Sequence, residues 1–92
     1  MKDVEKKYKE PNKTEEETNI NVLYNENKFS IYTNNVSLQR QLNKLLGEAT
    51  QEYKIKRSIA GSRWDIPLSD QLKISRMILK AKIFEEKKDE ED

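Results

Sequence analysis

The chain has 92 residues, no cysteine, no histidine and only two glycines, and its 18 Lys/Arg against 17 Asp/Glu leave a formal net charge of +1. That inventory excludes disulfides, thiolate nucleophiles, Cys/His zinc sites and the side chain that most often moves protons at neutral pH. The length allows one small domain, and a core of about 65 residues buries only about 60% of the surface its unfolded chain exposes, which favours a flat binding surface over a deep pocket.

The charge is segregated. Residues 1–19 hold five lysines against six acids, residues 85–92 hold two against six, and between them eleven Lys/Arg face five acids. The nearly neutral whole therefore reads as a basic core of net +6 between charged ends of −1 and −4.

After Met1, residues 1–19 have only Val4 and Tyr8 as sizeable apolar side chains, too few to offset the entropy of ordering. They are expected to form a disordered charged tail; a helix over Lys2–Lys9, stopped by Pro11, would be weak. The Lys/Glu-rich start has no apolar run of the signal-peptide kind, and no stretch approaches bilayer-spanning length. With no cysteine, the expected setting is cytoplasmic, without a membrane.

Regular structure is expected from Ile20 to Phe84. Ile20–Tyr24 reads as a strand, Asn25–Lys28 as a turn and Phe29–Thr33 as a second strand, a hairpin with Ile20, Val22, Phe29 and Ile31 on its core face. Asn34 and Asn35 offer caps for a helix. Leu38, Leu42, Leu45 and Leu46 then form one helical stripe, so the first helix spans about Val36 to Leu46, closed by Gly47.

Tyr53–Ser58 alternates again, Ile59–Ser62 reads as a turn, and Arg63–Ile66 alternates back to Pro67. This second hairpin is expected to turn Tyr53, Ile55, Trp64 and Ile66 to the core and Lys54, Lys56, Arg63 and Asp65 outward. Ser69 reads as the N-cap of a last helix over about Asp70 to Phe84, with Asp70 in its first turn. Its main stripe is Ile74, Met77, Ile78 and Ala81, which Leu72, Leu79 and Ile83 widen. Such a helix is either buried on two sides or carries apolar surface for a protein partner or a second copy through residues 72–84. Residues 85–92 read as a disordered acidic tail, either solubilising or folded back over the basic core.

The fold class expected is α+β: a ββαββα chain, a mostly antiparallel four-stranded sheet with two helices on one face. The open sheet face or the hairpin tip would be the functional surface. No residues converge for catalysis. Asp65 and Asp70 are explained by a strand face and a helix first turn, the serines lack a histidine, and there is no Gly-rich phosphate loop. No metal site and no cofactor are expected, and an enzyme is not.

The most suggestive constellation is Lys54, Lys56, Arg57 and Arg63 around the second hairpin, with Ser58 and Ser62 as hydroxyl donors. Long cations on a β-ribbon suit phosphate contacts and a nucleic-acid groove, DNA before RNA. A basic solvated strand face also blunts a sheet edge, and Trp64 suits the core better than a stacking role. A secondary basic face comprises Arg40 and Lys44 on the first helix and Lys73, Arg76 and Lys80 on the last. The expectation is a non-enzymatic nucleic-acid-binding accessory protein, with a protein-interaction module acting through Leu72, Leu79 and Ile83 as the alternative.

Three short stretches, Phe29-Ser30-Ile31-Tyr32-Thr33, Leu42-Asn43-Lys44-Leu45-Leu46-Gly47-Glu48 and Ser62-Arg63-Trp64-Asp65-Ile66-Pro67, resemble small proteins of AT-rich Gram-positive bacteria and their mobile elements. The resemblance implies no activity and no site. Winged helix–turn–helix proteins share a basic hairpin, but the two helices read here are one short of that fold.

Overall fold

A computed structural model describes residues 6–81. Strands β1 (Thr18–Leu23) and β2 (Lys28–Thr33) are followed by helix α1 (Val36–Leu46), strands β3 (Gln51–Ile55) and β4 (Ser58–Pro67), and helix α2 (Gln71–Lys80). The strands form one four-stranded antiparallel sheet in the order β1-β2-β4-β3. The fold is therefore α+β with the ββαββα order expected. No helix among the described residues is long and apolar enough to cross a membrane.

The first hairpin keeps the expected register. Ile20 lies opposite Ile31 and Val22 opposite Phe29, so all four share one face. The connection is a single 3-10 turn, Tyr24–Glu26, closed by Asn27 in the left-handed region at φ 55°, a conformation asparagine tolerates. Helix α1 has the boundaries its leucine stripe dictates. Asn35 caps it by accepting a hydrogen bond from the Leu38 amide at 2.8 Å, and Gly47 ends it at φ 90°.

Phe29, Ile31, Trp64 and Ile66 from the sheet, Leu38 and Leu42 from α1, and Met77 and Ala81 from the α2 end form one buried cluster. Both helices thus lie on the same sheet face. The Trp64 indole donates to the Gly47 carbonyl at 3.0 Å, tying β4 to the end of α1 and confirming Trp64 as core.

The second hairpin departs from expectation at its tip. The turn is Lys56–Arg57, with Lys56 at φ 59°, and Ile59–Ser62 belongs to β4 instead of to a turn. β4 consequently runs ten residues. Tyr53 pairs with Gly61 and Lys54 with Ile59, so Ala60 is an extra residue in β4, a bulge. Tyr53 sits opposite Gly61 and shares the face of Arg63, away from Trp64. It and Ile55, both expected in the core, are exposed.

The segment from Lys6 to Glu17, expected as disordered tail, is instead fastened to the domain. β2 covers β4 only from Ser62 to Pro67. Beyond it, Lys7–Lys9 continue along the same β4 edge: the Ile59 amide donates to the Lys7 carbonyl and the Lys9 amide to the Ile59 carbonyl, both at 2.8 Å. Side chains add to these bonds. Asn43 donates to the Tyr8 hydroxyl at 2.7 Å, the Arg40 guanidinium stands 5.3 Å from the Tyr8 ring centre, and Lys6 pairs with Glu48 and Glu52. Asn34 donates to the Glu15 carbonyl and accepts from the Glu17 amide, both at 2.8 Å, leading the chain into β1. Tyr8 is the one sizeable apolar side chain of this segment, which is held by backbone pairing and by polar and charged side-chain contacts.

Helix α2 also differs. Asp70, not Ser69, occupies the N-cap position, and Ala81 already has extended backbone, so the helix ends at Lys80. Ile83, Phe84 and the acidic stretch 85–92 lie outside the described residues.

One buried polar contact crosses the core face: Ser62 donates to the Gln39 Oε1 at 2.6 Å, while the Gln39 Nε2 has no partner among the described residues. Ser62→Ala is expected to cost about 1–3 kcal/mol by leaving the other amide atom unpaired as well, and the double change with Gln39→Leu to recover most of that loss. Urea unfolding of the two variants measures both.

Candidate functional site

Two features meet at one end of the sheet: a basic tip and an open face. The tip is built by the tight β3–β4 turn, in which Ile55 pairs with Ser58 and exposes Lys54, Lys56 and Arg57. Pairing of Tyr8 with Ile59 brings Lys7 and Lys9 to the same end. Tyr8 points toward Asn43 and Arg40 on the helix side. Strand alternation therefore places Lys7 and Lys9 on the side opposite α1 and α2. Ile59 pairs with Tyr8 on one edge and with Lys54 on the other, which brings these cations to one end of the sheet. Among the described residues, no carboxylate forms an ion pair with Lys7, Lys9, Lys54, Lys56 or Arg57.

The open face carries Lys28, Ser30 and Tyr32 of β2, Gly61, Arg63 and Asp65 of β4, and Gln51 and Tyr53 of β3. Gly61 is needed here for close approach: a Cβ would stand 2.4 Å from the Tyr32 hydroxyl and 2.8 Å from its ring. The Tyr32 ring lies over β4 in the space this leaves. Tyr53 meets it edge-on, with ring centres 5.6 Å apart and planes at 71°. Arg63 donates from its Nε to Asp65 Oδ1 at 3.1 Å and from Nη2 to Oδ2 at 3.2 Å, and from Nη1 to the Tyr53 hydroxyl at 3.3 Å. The guanidinium is thereby fixed in orientation. Burial, with Glu17 and Tyr53 nearby, pushes the Tyr32 phenol up, so it stays protonated at neutral pH.

Asp65 is the electrostatic hinge of this face. Partial burial alone would raise its pKa, but the hydrogen bonds from Ser30 and Lys28 and the charges of Arg63 and Lys28 outweigh it, and the carboxyl is held below its ordinary value.

The residues read from sequence are thus only partly assembled. Lys54, Lys56 and Arg57 form the tip, with Ser58 half-buried beside them. Ser62 is 1% exposed and bonded to Gln39, so it has no access to a phosphate. Arg63 lies well inside β4, neutralised by Asp65, because the turn sits at Lys56–Arg57 and not at Ile59–Ser62. The secondary basic set is divided between two helices: Arg40 and Lys44 border the N-terminal segment, whereas Lys73, close to Asp70, stands with the exposed Arg76 and Lys80 on α2. No ion pair or hydrogen bond links the two groups among the described residues. Helix α2 buries Met77 but leaves Leu72 67% and Leu79 82% exposed, which removes the reading of a helix buried on two sides. Lys7, Lys9 and Tyr32 were not read from sequence. The one signal for the first two was Tyr8, an isolated aromatic flanked by lysines.

No group of three or more metal-ligating side chains occurs among the described residues. Compared with protein-family models, curated proteins and solved structures, the chain has no match.

A carboxylate whose pKa is depressed by folding stabilises the protein above its unfolded-state value, and that contribution fades as pH falls through the folded value. Asp65→Asn is therefore expected to lower the thermal midpoint at neutral pH and to reduce the part of the acid-induced loss that sets in below about pH 4. Melting curves across the acid range check both signs.

Proposed function

We propose that the protein is a non-enzymatic nucleic-acid-binding accessory protein that grips the phosphate backbone with the basic end of its sheet. The observation that carries this reading is the gathering of Lys7, Lys9, Lys54, Lys56 and Arg57 at one end with no carboxylate partner among the described residues. Unpaired cations held together at a protein surface repel one another, and a polyanion relieves that repulsion while releasing its own counterions. The tip is a narrow two-residue turn on a twisted ribbon, a shape that reaches a backbone without steric obstruction. Of the six residues read from sequence, Lys54, Lys56 and Arg57 stay in the grip, half-buried Ser58, buried Ser62 and paired Arg63 leave it, and Lys7 and Lys9 join.

Protein interaction is the second reading, favoured by the exposure of Leu72 and Leu79 on α2. It concerns a different surface and is compatible with the first.

Fluorescence anisotropy of a labelled oligonucleotide across a salt series tests the phosphate grip. Five phosphate contacts give a log–log salt slope of about −3.5 to −4.5, depending on the strand form, and Lys56→Ala with Arg57→Ala removes about two contacts' worth of it. Absence of binding at about 50 mM salt, where such contacts are far stronger than at about 200 mM, overturns the reading.

A further inference from the structure

We infer that the open sheet face is a stacking platform for single-stranded nucleic acid, with Tyr53 and Tyr32 as the rings and Arg63 as a fixed guanidinium plane beside them. The inference rests on the phosphate-binding reading and names its substrate class.

Both helices pack on the opposite face, against Phe29, Ile31, Trp64 and Ile66. Among the described residues, the platform side therefore has no helical cover. Its centre is aromatic: Tyr53, 37% exposed, stands edge-on to Tyr32 at 5.6 Å. A ring lying over a strand glycine is a known way of sheltering the bare backbone. That role accounts for Tyr32 over Gly61 but not for Tyr53, which lines no cavity left by a glycine of its own. Nor does it account for Arg63, whose guanidinium is clamped on one side by both Asp65 oxygens and on the other by the Tyr53 hydroxyl. Bases stack on tyrosine rings and on arginine planes, and do so with little regard to sequence because every base has a π-face.

The charge is arranged to match. Lys7 and Lys9 face this side of the sheet at its tip end, next to the Lys56–Arg57 turn. A strand held there by its phosphates would lay its bases along the sheet, over Tyr53 and Tyr32. The polar side chains of the same face, Asn21 and Gln51 among them, are exposed and offer amides to base edges. A duplex keeps its base faces stacked inside, so it can use the tip but not the rings. The platform thus separates the two forms: single strands gain stacking on top of the phosphate grip, duplexes do not.

The test compares labelled oligo-dT, oligo-U and a duplex DNA, each about twelve nucleotides long, within the range such platforms occupy, at one salt concentration. The wild type is expected to bind the single strands more tightly than the duplex. Tyr53→Leu is expected to weaken single-strand binding about tenfold and to leave duplex binding unchanged, whereas Lys56→Ala with Arg57→Ala weakens all three. The dT and U arms decide between DNA and RNA as the source of the strand. Tyr53→Trp keeps a ring at the position, and its fluorescence is expected to be quenched by oligo-dT, against the constant signal of buried Trp64. Equal affinity for single strand and duplex, an unchanged Tyr53→Leu, or an unquenched Trp at this position while the oligonucleotide is bound overturns the platform and leaves the phosphate grip standing. Failure of every polymer to bind overturns both.

Discussion

The structure depends on the double-sided pairing of β4. Ten residues long, it hydrogen-bonds to β2 along one edge, to β3 along the other, and to Lys7–Lys9 where β2 runs out. Its two faces divide the labour of the domain. Ser62, Trp64 and Ile66 point to the helices and set the core, with Trp64 also anchoring Gly47 at the end of α1. Gly61, Arg63 and Asp65 point the other way and organise the open face. In a domain this small, where only a fraction of the chain can be buried, one strand that both nucleates the core and supports the surface leaves the remaining elements free to be short.

The length of β4 also determines where the charge goes. A strand that outruns its neighbour exposes unpaired backbone, which invites pairing with another chain. Here the protein's own residues 7–9 cover that edge, and the lysines flanking Tyr8 arrive with them. The covering of an edge and the making of a basic end are therefore one structural event. The bulge at Ala60 completes it by shifting parity along the hairpin, so that Tyr53 joins the open face and Lys54 falls on the side of Ile59.

Where local pattern decides structure, the sequence was readable. The leucine stripe and the Asn35 and Gly47 caps define α1, and the alternation of Ile20, Val22, Phe29 and Ile31 defines the first hairpin and its face. The +6 core and the exposed Lys54, Lys56 and Arg57 were legible for the same reason. The departures arise where local pattern is ambiguous. Gly61 reads as a turn, but here it lets a distant tyrosine lie against a strand, and nothing next to it in sequence announces Tyr32. Moving the turn to Lys56–Arg57 withdraws Ser62 into the core and Arg63 into an ion pair with Asp65. The bridge from Tyr8 to Ile59 spans most of the domain in sequence; its two backbone hydrogen bonds carry no side-chain signature, and the partners of the Tyr8 ring, Asn43 and Arg40, are equally remote in sequence. Helix α2 reads as a longer apolar run than it is, since hydrophobicity alone does not mark where Ala81 turns extended.

The basic end of the domain is complete only if the N-terminal segment is part of the sheet. Amide hydrogen exchange measured residue by residue on the full chain tests this most directly. The Lys9 amide, which donates to the Ile59 carbonyl, and the Ile59 amide, which donates to the Lys7 carbonyl, should both be protected, and replacing Tyr8 with alanine should release Lys9 before the Trp64 and Ile66 amides. Exchange of Lys9 at the free-chain rate, with Ile59 equally unprotected, would contradict the sealed edge and take Lys7 and Lys9 away from the basic tip.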